Sequence, residues 1–189
     1  MIDIENYEIL KKHKTTLKET SKDNHNGASV YMTNSVLEVI NFDDVKSEYC
    51  NPLSLAEIPK SNDALYINST TDATFIEFKN GVFDNPKIYS VRKKIYDSLL
   101  ILFDIIGKNI SFTREHMDYI LVYNETKNPD PKKRYNPSTS RDEIDSKLLG
   151  FAGERKINFG LDKFQGYCFR NVYTYTEDEF ENEFVKKLQ

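Results

Sequence analysis

The chain has 189 residues, 39% of them hydrophobic and 30% charged, and carries a net charge of −4. That length supports one sizeable core rather than two, and that composition excludes a disordered segment. The acidic balance disfavours a broad grip on nucleic acid, which needs Lys and Arg to displace counterions, and no apolar run reaches the roughly 20 residues of a membrane span.

In chain order, residues Ile4 to Glu19 read as a first helix, with Ile4, Tyr7, Leu10 and Leu17 near one stripe. Ser21–Gly27 is polar and turn-like. Val36–Phe42 is rich in β-formers and reads as a strand, although Ser35 and Glu38 also fit a helix-capping box. Asp43–Lys60, with Pro52 and Pro59, reads as a long connection. Asp63–Asn68 and Thr74–Gly81 then form two strands joined by a turn through Ser69–Asp72.

The clearest helix follows. Pro86 suits its first turn, Asp84 or Asn85 can cap it, and Gly107 can stop it. Between them Ile88, Val91, Ile95, Leu99, Leu102 and Ile106 recur at three- and four-residue steps. Tyr119–Tyr123 reads as a buried strand, Asn124–Arg141 as a loop, Ile144–Phe151 as a helix and Tyr167–Tyr175 as a strand. Thr176 and Glu179 have capping-box spacing ahead of a final amphipathic helix carrying Phe180, Phe184 and Leu188. The expected class is α/β (α+β): one domain, a mixed central β-sheet flanked by helices, with a core over about residues 4–124 and an extension over 125–189 packing on it.

The two strands around Ser69–Asp72 carry the chemistry. Alternation puts Glu77 and Lys79 on one face of their strand and Ile76 and Phe78 on the other. The turn folds Asp63 back to a position near Glu77. Two carboxylates opposed across a ladder repel unless a positive charge sits between them. A divalent metal would serve, with Lys79 aimed at the same spot, and that is the skeleton of a metal-dependent phosphodiesterase site.

This arrangement of Asp63, Glu77 and Lys79, followed by the helix Lys87–Ile106 and the strand Tyr119–Tyr123, resembles the PD-(D/E)XK nuclease superfamily, the restriction-endonuclease-like fold. The residue before Asp63 is Asn62 rather than Pro. Glu5, Glu8, Glu19 and Glu38 are the candidates for a further acid that some members carry. The resemblance implies that Asp63 and Glu77 hold Mg²⁺ (or Mn²⁺) together with water and a substrate phosphate, and that the Phe78 carbonyl can add a ligand. It implies that Lys79 orients the attacking water or neutralises developing charge, and that DNA is the substrate. Arg92, Lys93, Lys94 and Tyr96 lie on the next helix, where the resemblance implies a polar or basic residue facing the site; Arg92 and Tyr96, one turn apart, are the candidate nucleic-acid contacts. Lys93 points away from the apolar stripe.

Other residue patterns point to structure rather than chemistry. His13, His25 and His116 lack the spacing of a zinc site. Gly150, Gly153 and Gly160 do not make a phosphate loop, since the Lys-Ser/Thr of that motif is missing. The aromatics of Tyr167–Tyr175, with Arg170 among them, suit a strand core, with base stacking as the rival use. Lys127 to Arg170 holds ten basic against six acidic residues, and Glu177 to Glu183 holds five acids and no base; both read as solvated faces, with one cationic groove as the rival use of the basic stretch. Cys50 and Cys168, distant in sequence, and a start of Met1-Ile-Asp-Ile-Glu that is not a secretory signal, suggest a cytoplasmic protein with free thiols. The expected function is metal-dependent cleavage of nucleic acid. The alternative is a non-catalytic binding protein on the same fold, such as a toxin-neutralising immunity protein or a partner in a defence complex.

Overall fold

The computed structural model describes residues 6–25, 28–129 and 157–188. The expected helix Ile144–Phe151, with Gly150 and Gly153, lies outside the described residues, as does most of the basic stretch after Lys127.

A six-stranded mixed sheet organises the fold, flanked by helices. Its strands are β1 (Lys14–Thr16), β4 (Glu38–Asn41), β5 (Ala64–Ile67), β6 (Ala73–Lys79), β7 (Met117–Tyr123) and β8 (Asn171–Thr176), in that spatial order. Pairing is antiparallel from β1 through β6 and parallel from β6 through β8. A separate hairpin of β2 (Lys22–His25) and β3 (Ala28–Tyr31) stands beside the sheet.

The first expected helix is broken in two. α1 (Glu8–Lys12) and α2 (Leu17–Thr20) are separated by β1. Thr15 and Thr16 favour the extended strand, and the Thr16 hydroxyl then accepts a hydrogen bond from Glu19 N–H to start α2. The segment expected to turn after Ser21 forms the β2–β3 hairpin instead. The expected long connection after Phe42 opens with a helix, α3 (Phe42–Cys50). Asn41 caps it by accepting from the N–H groups of Asp43 and Asp44 at 3.1 and 3.3 Å, and the two aspartates suit the positive end of the helix dipole. Ser35 does not open a helix at Glu38: its hydroxyl accepts from Leu37 N–H, and Glu38 begins a strand.

The central helix α4 (Asn85–Ile106) follows its expected bounds. Asp84 caps it, Pro86 lies in its first turn, and Gly107 closes it at φ 63, a left-handed conformation that glycine adopts without strain. α4 and the short α5 (Ile110–His116), capped by Asn109, form the connection between parallel strands β6 and β7. The strand expected from Tyr167 starts later, at Asn171, because residues 162–164 form a 3₁₀ turn and Gly166 sits at φ 68. The capping box of Thr176 and Glu179 is present and opens α6 (Glu177–Glu183).

Strand alternation sorts the core into two clusters. On one side Ile40, Leu65, Phe75, Tyr119 and Leu121 meet Val91, Ile95, Leu99 and Leu102 of α4. On the other, Val39, Ala64, Ile76, Phe78, Ile120 and Val122 meet Leu17, Met32 and Phe180. Glu77 follows Phe75 by two residues and so belongs to the face covered by α4. Among the described residues no helix is long and apolar enough to cross a membrane.

A candidate active site of paired carboxylates and lysines

The β5–β6 register fixes the first relationship. Ala64 pairs with Ile76, which sets Asp63, one residue outside β5, opposite Glu77. Asp63 is held there from both ends: its carbonyl accepts from Phe42 N–H at 3.1 Å and its carboxylate Oδ2 accepts from Phe78 N–H at 2.7 Å. Glu77 pairs with Leu121 on its other side and is fully buried.

The second relationship comes from α4. The Lys94 ammonium donates to Asp63 Oδ1 at 2.9 Å and to Glu77 Oε2 at 3.0 Å, and lies 2.7 Å from Glu77 Oε1. Lys79 Nζ lies 2.5 Å from the same Oε1. Two negative and two positive groups therefore neutralise one another. Side-chain exposure grades from 0% at Glu77 to 15% at Asp63 and Lys94 and 25% at Lys79, so Lys79 is the most solvated of the four.

Burial and the charge of Asp63 push the Glu77 carboxyl above the usual carboxylate range, against the pull of Lys79 and Lys94. Burial also works against the Lys94 ammonium, but the charges of Glu77 and Asp63 outweigh it and hold its pKa above the ordinary lysine value. Nearby Tyr119 feels the same field: burial, then Glu77 and Asp63, push its phenol well up.

A cleft of about 470 Å³ opens beside this group, lined by Asp63 and Lys79 together with Lys22, Lys87, Ser90 and Lys127. Asn80 ties its walls together, donating to Asp23 at 3.0 Å and accepting from Asn124 and Lys127 at 2.9 and 3.1 Å.

Comparison with known proteins finds no matching family model, no matching curated protein and no matching solved structure.

The sequence-expected residues divide into two sets. Asp63, Glu77 and Lys79 come together on one face. Arg92 and Tyr96 lie elsewhere: Arg92 Nη2 donates to the carbonyls of Phe159 and Gly160 at 3.5 and 3.1 Å, and the Tyr96 ring packs edge-on against Phe164 at 5.4 Å. From α4 it is Lys87 and Ser90 that line the cleft. Lys93 faces outward and pairs with Glu57. Arg170 is engaged by Asp118 and Asp72, and Tyr173 stacks on Tyr175 at 5.5 Å. His13 pairs with Glu48 and His116 with Asp72.

Lys94 belongs to the basic run on the helix after Glu77 and Lys79, and the structure, not the sequence, sets it apart from Arg92 and Tyr96. Its position adds a second signal: it stands three residues after Val91 and four before Ser98, both buried, so a lysine there flanks the apolar stripe.

Mg²⁺ takes oxygen donors and is commonly bound by one or two carboxylates with water and phosphate. Asp63 and Glu77 provide that donor chemistry, and the Lys94 ammonium is a stand-in cation on which both converge. Among the described residues no group of three or more His, Cys, Asp or Glu gathers for a metal, so water and substrate phosphate would have to complete the shell.

Proposed function

We propose that this protein is a metal-dependent nuclease of the PD-(D/E)XK type, hydrolysing phosphodiester bonds of nucleic acid, DNA by resemblance, in the cytoplasm. The observation that carries the reading is the convergence of Asp63 and Glu77 oxygens on one cation at 2.7–3.0 Å, with Lys79 beside them. The order of strand β4, hairpin β5–β6, helix α4 and strand β7 around these residues supports the same resemblance.

In this reading Asp63 and Glu77 hold Mg²⁺ or Mn²⁺. When bound, the ion would neutralise charge on the phosphate and lower the pKa of an attacking water. Lys79, next to the cleft, orients that water or offsets charge developing on the phosphate. The Asp63–Phe78 hydrogen bond holds one carboxylate in place, so the donor pair is organised before substrate arrives. Lys22, Lys87 and Lys127 are the cleft residues that could contact a phosphate backbone, on a lining that also carries Glu19, Asp23 and Asp43.

A second reading is a non-catalytic binding protein on the same scaffold, one that neutralises a toxin or joins a defence complex. The Lys94 ammonium favours it, since it already satisfies the acidic pair as a structural counter-ion.

Incubation of purified protein with linear and circular DNA, and with RNA, in Mg²⁺, Mn²⁺ or chelator separates the two. The nuclease cuts only with metal. Lys79→Ala slows cutting by roughly 10²-fold or more, the scale of one lost transition-state contact, and Glu77→Ala abolishes it. No cleavage by wild type under any condition, or equal traces in all three proteins, sinks the catalytic reading.

A further inference from the structure

Lys94 does more than neutralise. It donates hydrogen bonds to Asp63 Oδ1 and Glu77 Oε2 and lies 2.7 Å from Glu77 Oε1, so its ammonium occupies the point on which the two carboxylates converge. Glu77 is fully buried, and a buried carboxylate without a cation is strongly disfavoured. Lys79 compensates one acid of the pair, and Lys94 supplies the second positive charge that the pair requires. A divalent ion added beside it would leave the cluster with two excess positive charges. With Lys94 withdrawn the excess falls to one, which a single phosphodiester offsets.

The cleft gives a direction for withdrawal, and Lys60, which donates to the Ser90 hydroxyl at 2.8 Å, would have to make way. Lys87, Ser90 and Lys94 fall at helical spacings of three and four on one face of α4, and the first two line the cleft. The helix itself is fixed: Val91, Ile95 and Leu99 are buried, and the Ser98 hydroxyl, one turn on, accepts from Asn62 N–H at 2.8 Å. Movement thus belongs to the flexible four-carbon side chain and not to the backbone.

We infer that Lys94 is a resident counter-ion that competes with the divalent metal for the Asp63–Glu77 pair, and that metal binding expels its ammonium toward the Ser90–Lys87 side of the cleft. The inference rests on the nuclease reading, and it makes the metal-free protein a self-closed form of the site.

Calorimetric titration of Mn²⁺ into the full chain and into Lys94→Gln and Lys94→Arg tests it, with circular dichroism to verify folding. Lys94→Gln should bind Mn²⁺ about tenfold more tightly or better, because a competing charge is gone. Lys94→Arg should bind no more tightly than wild type. Equal affinity of wild type and Lys94→Gln overturns the competition and leaves the nuclease reading standing. Binding by Lys94→Gln alone upholds the counter-ion and overturns the metal-dependent wild-type enzyme. No binding by either folded protein overturns both. Should Lys94→Gln not fold, NMR of ¹³Cε-labelled lysine in wild type reads the same event: Mg²⁺ shifts the Lys94 signal if the ammonium is expelled, and an unmoved signal at saturating Mg²⁺ overturns the inference.

Discussion

The Asp63 carboxylate accepts a hydrogen bond from the backbone N–H of Phe78 at 2.7 Å, bridging the open end of the β5–β6 hairpin. One side chain thus clamps the hairpin with Oδ2 and offers Oδ1 to the cation between the strands and α4. Fold stability and site geometry are coupled through it.

Replacing Asp63 separates the two duties. Asp63→Ala strands Phe78 N–H and removes half of the Lys94 compensation, which should cost about 3 kcal/mol in urea unfolding. Asp63→Asn keeps an acceptor for Phe78 and should be roughly 1 kcal/mol less damaging. Both variants should lose metal-dependent cleavage. Equal stability losses for the two would show that the Phe78 bond contributes nothing.

The raised pKa of Glu77 makes a pH prediction with a definite sign. Above about pH 4.3, the ordinary glutamate value, the unfolded chain releases this proton while the folded chain still retains it. The folded state then binds more protons, so stability falls as pH rises through that window. Glu77→Gln cannot titrate. Urea unfolding from acid toward neutral pH should therefore show wild type losing stability relative to Glu77→Gln. A parallel pair of profiles would contradict the shift.

Arg92 and Gly160 form a structural pair that a double-mutant cycle can expose. Gly160 sits at φ +62, and a methyl group there would meet Arg92 Nη2 at 2.6 Å. Gly160→Ala should cost about 1 kcal/mol from backbone strain, plus the loss of the Arg92 bonds to the Phe159 and Gly160 carbonyls. In Arg92→Ala the same substitution should cost less, because the clash has gone. Additivity in thermal or urea unfolding would refute the coupling.

The packing of α4 has its own test. Leu102 is fully buried and Leu100, two residues earlier, is 66% exposed. Leu102→Ala should lower stability by about 2–5 kcal/mol, while Leu100→Ala should stay within about 0.5 kcal/mol of wild type. Denaturant midpoints measure both.

Much of this architecture was readable from local pattern. The period-two strands, the turn at Ser69–Asp72, and the Asp84, Pro86 and Gly107 punctuation of α4 are short-range signals, and the register that opposes Asp63 to Glu77 follows from counting residues through the turn. The sequence suggests one continuous first helix because Leu10 and Leu17 keep an approximate helical phase across a break made by Thr15 and Thr16. α3 is hidden in the sequence because Pro52 and Pro59 suggest a loop, while its start signal, Asn41, stands at the end of a strand. The sheet was also wider than its core pattern indicated, since β8 extends it beside β7 from a distant part of the chain.

The amino-acid order alone determined that two carboxylates and a lysine would share one sheet face at the open end of a hairpin, because side-chain alternation and turn length are local properties. Only the tertiary structure decided what stands between those carboxylates. Lys94 arrives from a helix whose rotation and depth against the sheet are set by the packing of Val91, Ile95 and Leu99 and by the Ser98–Asn62 bond. Charge compensation over a few ångströms depends on that docking, and helical periodicity specifies which side is buried but not which neighbouring lysine meets the buried acids.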